Sequence, residues 1–101
     1  MEVNKKLHIT GVVQGVGFRP FIYQLAQRYH LHGYILNDTS GVTIEIEGHE
    51  NSINSFIDAM QDELPPLARI DSLESYTGEY IGHKTFKIDQ SEETDDISTL
   101  I

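Results

Sequence analysis

From Lys5 to Val13 apolar and polar residues alternate, with Leu7, Ile9, Gly11 and Val13 on one side and Lys6, His8 and Thr10 on the other. Beyond Pro20 the spacing changes, and Phe21, Ile22, Leu25, Ala26 and Tyr29 recur along one helical face. The switch from strand period to helix period takes place within Gln14-Gly15-Val16-Gly17-Phe18-Arg19. Pro20 is expected at the first helical position, where its missing N–H is not needed. The helix is expected to end near Leu31 to Gly33.

The rest of the chain extends this pattern. Tyr34-Ile35-Leu36 and Val42 to Glu47 read as two strands joined by the turn formers Asn37-Asp38-Thr39-Ser40-Gly41. In the second of them Val42, Ile44 and Ile46 are expected inward, and Thr43, Glu45 and Glu47 outward. Ile53, Phe56, Ile57 and Met60 mark a second amphipathic helix that Asn51 or Ser52 could cap and that Pro65-Pro66 stops. Ile70 to Tyr76 is a weaker strand signal, and Thr85 to Ile88 a short final one. The order β-α-β-β-α-β with a short extra strand is the ferredoxin-like split βαβ arrangement, an α+β fold with two helices on one face of an antiparallel sheet. Residues 1–90 form the expected domain. Residues 91–101, acidic and aperiodic from Glu92 onward, are expected to be a tail or the start of an interdomain linker.

That topology serves many functions, so chemistry must come from particular residues. A chain of 101 residues supports one compact domain, and its formal net charge of -9 repels nucleic acid and anionic membranes. An anionic ligand therefore needs a local site. The absence of cysteine excludes disulfides, thiolate metal sites and a cysteine nucleophile, and fits a reducing cytoplasm. No apolar run is long enough for a membrane helix. Of the five histidines only His30 and His32 are near neighbours, which reads as exposed titrating groups and not as a metal site.

The loop between the first strand and helix answers the need for a local site. Gly15 and Gly17 permit backbone conformations that aim successive N–H groups inward, and the helix start adds unpaired donors with partial positive charge. Arg19 adds a planar fork of donors matched to two phosphoryl oxygens. The loop has neither the G-K-[S/T] ending of a Walker loop nor the third glycine of a dinucleotide fingerprint. Gln14, at the entrance, has the character of a residue that ties a loop to neighbouring backbone.

The run Gly11-Val12-Val13-Gln14-Gly15-Val16-Gly17-Phe18-Arg19 resembles the acylphosphatase signature G-x-V-Q-G-V-x-F-R at every fixed position. Gly33-Tyr34-Ile35-Leu36-Asn37 with Gly41 resembles that family's second motif, G-[aromatic]-x-x-N-x-x-x-G. The resemblance implies that the backbone of Gly15, Val16, Gly17, Phe18 and Arg19, with the Arg19 guanidinium, holds phosphate while the Asn37 side chain positions the attacking water. Asn37 also has a plainer reading as a turn former that bonds the backbone two residues on. Phe18-Arg19-Pro20-Phe21, Leu36 to Val42 and Pro65 to Ile70 further resemble the N-terminal acylphosphatase-like domain of the carbamoyltransferases that mature nickel-iron hydrogenases.

The expected activity is hydrolysis of a carboxyl-phosphate anhydride, with carbamoyl phosphate the candidate substrate by resemblance. Because the leaving carboxylate or carbamate is a weak base, no general acid is required, and phosphoryl transfer asks mainly for positioning and for donors on the phosphoryl oxygens. No metal or cofactor is expected. The expected partners are a small acyl phosphate or carbamoyl phosphate and the downstream domains of a larger maturation protein, with the isolated domain a monomer. A stand-alone general acylphosphatase, or a domain that binds phosphate without turnover, are the alternative readings.

Overall fold

The computed structural model describes residues 1–89, so the expected tail lies outside the described residues. Its elements are β1 (Glu2–Val12), α1 (Phe18–Arg28), β2 (His32–Asp38), β3 (Gly41–His49), α2 (Glu50–Asp62), β4 (Arg69–Gly78) and β5 (Phe86–Ile88). The strands form one sheet in the order β4-β1-β3-β2-β5, with both helices packed on one face. Leu7 and Ile9 of β1, Ile35 of β2 and Val42, Ile44 and Ile46 of β3 project to that face. There they meet Phe18, Ile22 and Leu25 of α1 and Ile53, Phe56 and Met60 of α2, all buried. The alternation read from the sequence is the alternation that builds the core.

Several details differ from expectation for local reasons. The sheet is mixed, because β5 pairs parallel to β2 while every other pairing is antiparallel. Strand β4 runs along one edge toward the end of the sheet where β2 begins. Residues 79–85 then cross to the opposite edge, and the chain turns back as β5 in the direction of β2. Helix α1 starts at Phe18 with Gly17 as its N-cap, so Pro20 is the third helical residue and not the first. It is tolerated because the first four helical N–H groups have no intrahelical acceptor in any case. The helix stops at Arg28, before the Leu31 to Gly33 segment. There His30 adopts φ 57° while its N–H bonds to Gln27 O and that of Leu31 to Ala26 O, a Schellman ending with histidine where glycine is usual. Helix α2 starts at Glu50 with an extended His49 as N-cap and no side-chain cap, so neither Asn51 nor Ser52 has the capping role.

The main correction concerns Glu45 and Glu47. Both point away from the helices as expected, yet they are 3% and 2% exposed because the crossing segment covers them. Glu47 accepts hydrogen bonds from three consecutive backbone N–H groups, Ile81, Gly82 (2.9 Å) and His83 (2.7 Å), and from Asn4 Nδ2 at 2.9 Å. Glu45 receives His83 Nε2 at 2.6 Å, Asn4 Nδ2 at 3.3 Å and the Tyr34 hydroxyl at 3.4 Å, with Lys6 Nζ 3.5 Å away. A run of backbone N–H groups closing on a carboxylate is a nest, with Gly82 at φ 90°. Burial pushes the Glu47 carboxyl up, but the hydrogen bonds from Ile81, Asn4, His83 and Gly82 together outweigh it and hold the pKa at about 2.

This clasp has a pH signature. A carboxylate with a lowered folded-state pKa contributes stability that is complete above its ordinary value of 4.5 and is lost as the pH falls through about 2. Glu47→Gln offers one acceptor oxygen and an N–H₂ group that confronts the nest. It should lower unfolding free energy at neutral pH by about 2–3 kcal/mol. Urea titrations of both proteins from pH 7 to pH 2 should show the difference narrowing across the acid limb, where Glu47 becomes protonated.

Candidate functional site

Strands β1 and β2 both run antiparallel to β3, so they run in the same direction and their C-terminal ends lie at one end of the sheet. The loop that follows β1 and the residue Asn37 near the end of β2 are therefore brought together. Val42 of β3 is paired with Ile9 on one side and Asn37 on the other, which sets a span of about 10 Å across three strands. Asn37 shares the parity of Ile35 and faces the helix layer, on the side where α1 begins.

The loop has the backbone that an anion cradle needs. Gly15 and Gly17 take φ 73° and 77°, and a Cβ at either would meet no neighbouring atom. Their requirement for glycine is thus conformational, not spatial. The first helical hydrogen bond is Phe21 N–H to Gly17 O, so the N–H groups of Phe18 and Arg19 precede it, and Pro20 has none. Among the described residues the N–H groups from Gly15 to Arg19 have no loop or capping acceptor. The side chains of Phe18, fully buried, and Val16, partly buried against the core, anchor the loop, so that both can offer a ligand only backbone.

Arg19 is the second residue of α1 and half-buried. The chain has three arginines. Arg28 forms a two-pronged ion pair with Glu63 and Arg69 with Asp71, whereas Arg19 has no carboxylate partner among the described residues. A guanidinium without a carboxylate partner beside unpaired N–H groups, in a chain this acidic, has the donor chemistry of a candidate anion site.

Asn37 is 8% exposed, and its Oδ1 is buried with no hydrogen-bond partner. The turn-forming role belongs instead to its neighbour: Asp38 Oδ1 accepts the Ser40 N–H at 2.9 Å. Asn37 remains in strand β2, with its amide unused by the turn. Gly41, where a Cβ would overlap the Ile9 carbonyl, lets this turn close against β1. Gln14 ties the two halves of the site together, its Nε2 donating to Asp38 O at 2.9 Å and Gly41 O at 3.0 Å. This is the backbone tie expected of it.

Sequence reasoning missed the cluster of Glu45, Glu47 and His83, whose ligand-type atoms lie within 4.8 Å of one another. Alternation marked the two carboxylates as outward, and only the crossing of residues 79–85 brings His83 to them. Every oxygen of the two carboxylates already accepts a hydrogen bond or faces Lys6, so the trio acts as the clasp described above. Among the described residues no helix is long and apolar enough to cross a membrane.

Comparison with known proteins bears on the family and the fold. Residues 5–88 match the acylphosphatase family model. The chain is 48% identical over 86 residues to carbamoyltransferase HypF of Rhizobium leguminosarum bv. viciae, covering 85% of this chain and 11% of that protein. Full-length HypF, in a crystal structure with phosphate and nucleotide bound, superposes with a TM-score of 0.87 at 38% identity, over 91% of this chain and 12% of that one. The acylphosphatase from Bacillus subtilis superposes with a TM-score of 0.80 at 32% identity, over 88% of this chain and 99% of that one. The chain thus spans about a tenth of the HypF proteins and nearly the whole of a stand-alone acylphosphatase. With the ferredoxin-like fold, the two motifs and the match to most of its length, the chain belongs to the acylphosphatase family.

Proposed function

We propose that this domain hydrolyses carboxyl-phosphate anhydrides, with carbamoyl phosphate as its physiological substrate within a hydrogenase-maturing carbamoyltransferase. The observation that carries the reading is the Asn37 Oδ1, buried, without a partner among the described residues and at the same end of the sheet as the unpaired N–H groups of Gly15 to Arg19. An unsatisfied buried polar atom costs about 1–3 kcal/mol, a cost offset when a ligand or water fills its bond.

In this reading the N–H groups of Gly15, Val16, Gly17, Phe18 and Arg19 surround the phosphoryl oxygens, and the Arg19 guanidinium takes two of them in a fork. The Asn37 amide holds a water in line with the bond that breaks. The water oxygen forms the new P–O bond as the anhydride oxygen departs with its electron pair as carboxylate or carbamate. Neither leaving group needs a proton, so the absence of a paired acid and base from the assigned residues is compatible with turnover. Donors fixed around the phosphoryl group supply the remaining stabilisation. The similarity to a carbamoyltransferase supports carbamoyl phosphate as the substrate, and the similarity to a stand-alone acylphosphatase supports turnover by the domain alone.

Purified protein should release inorganic phosphate from carbamoyl phosphate and from an aromatic acyl phosphate, at the same rate with and without a chelator of divalent metal. Binding of phosphate with no release above the buffer rate would favour a non-catalytic binding domain. Arg19→Ala should lower kcat/KM by about 10²–10³-fold and weaken inhibition by phosphate by about 10- to 100-fold. Asn37→Ala should lower kcat by a similar factor while inhibition by phosphate changes little. Equal weakening of phosphate inhibition in both variants would contradict this division of roles.

A further inference from the structure

The turn that follows Asn37 is held by one carboxylate. Asp38 Oδ1 accepts the Ser40 N–H at 2.9 Å and the Ser40 hydroxyl at 3.0 Å, and its Oδ2 accepts the Thr43 hydroxyl at 3.1 Å. His8 Nε2 on β1 lies 3.1 Å from Ser40 Oγ and 3.9 Å from Asp38 Oδ1, which extends the network to a third strand. Successive side chains on a strand point to opposite faces. Asp38 therefore lies on the face away from the helices, while Asn37 faces α1 and the loop. The backbone carbonyl of Asp38 is also one of the two acceptors of Gln14.

We propose that Asp38 is a positioning residue, whose carboxylate locks the β2–β3 turn from the far face of the sheet and so holds the Asn37 amide in its working geometry. The inference rests on the hydrolytic reading above. Its physical basis is that a turn of two residues, Thr39 and Ser40, leaves the last rung of β2 free to twist unless its end is tied down. Asp38 ties it to Ser40 within the turn and to Thr43 on β3. The carboxylate also carries the mark of that engagement: burial pushes it up, but bonds from the Ser40 hydroxyl and N–H, from Thr43, and the nearby His8 together hold it below the ordinary range.

The test compares Asp38→Ala and Asp38→Asn with the unaltered protein, all shown to be folded by thermal denaturation at the assay pH. Asp38→Ala should lower kcat by about 10- to 100-fold, the scale of a small misplacement of a reacting group. Inhibition by phosphate should stay within about threefold, since Arg19 and the loop N–H groups that supply those bonds are intact. Asp38→Asn keeps an acceptor for the Ser40 N–H, and its amide can donate to the Thr43 hydroxyl, so it should restore most of the lost kcat. A folded Asp38→Ala variant with unchanged kcat, or one that loses phosphate binding in step with turnover, would overturn the assignment. If the unaltered protein shows no turnover, the hydrolytic reading fails. The role of Asp38 is then judged by NMR, where faster hydrogen exchange at the Asn37 side-chain amide in Asp38→Ala supports the lock and unchanged exchange refutes it.

Discussion

Val42 is paired across the sheet with Ile9 on one side and Asn37 on the other, and the site depends on that rung. Among the described residues strand β3 is the one that pairs with both β1 and β2, and both run against it. The parallel run of β1 and β2 that results brings the loop after β1 and the end of β2 to the same end of the sheet. A one-residue slip of β2 against β3 would turn Asn37 from the helix face to the open face and send Asp38 the other way, and a slip of β1 would turn over the strand that leads into the loop. Both slips are opposed by burial, because the first would turn Ile35, and the second Leu7 and Ile9, out of the core. Hydrophobic packing thus holds a polar arrangement in register.

The two ends of the sheet are organised by different electrostatics. At one end, polar groups without partners among the described residues gather: the donors of the loop N–H groups and Arg19, and the acceptor Oδ1 of Asn37. At the other, the carboxylates of Glu45 and Glu47 are saturated with donors from Asn4, Tyr34, His83 and the backbone of residues 81–83. The first end is suited to bind something that the protein does not itself provide. The second is complete and holds the crossing segment that delivers β5 to the sheet. A polar network that is fully satisfied adds rigidity, whereas an unsatisfied one is strained toward a ligand. The contrast is what supports the functional reading proposed for the first end.

Much of this was legible in the residues. The period-two run through β1, the glycines at positions 15 and 17 and the helical spacing from Ile22 to Leu25 predicted a strand, a loop and a helix, and each is present. Local chemistry also foretold the tie made by Gln14. The failures have a common physical source. The end of α1 at Arg28 goes with a left-handed His30, where the N–H groups of His30 and Leu31 close on Gln27 O and Ala26 O and Leu31 is buried in the core. The burial of Glu45 and Glu47 depends on a segment more than thirty residues away in sequence.

The sequence by itself determined which residues face the core and where an anion could be received, because alternation, helical spacing and glycine conformation are properties of neighbours along the chain. The tertiary structure alone decided that Asp38 rather than Asn37 makes the turn, that Arg19 is the arginine without a carboxylate partner among the described residues, and that two carboxylates lie beneath a strap of backbone donors. Those outcomes depend on which groups meet across strands and loops. Hydrogen bonds and ion pairs act over a few ångströms in space, at separations that spacing along the chain does not encode.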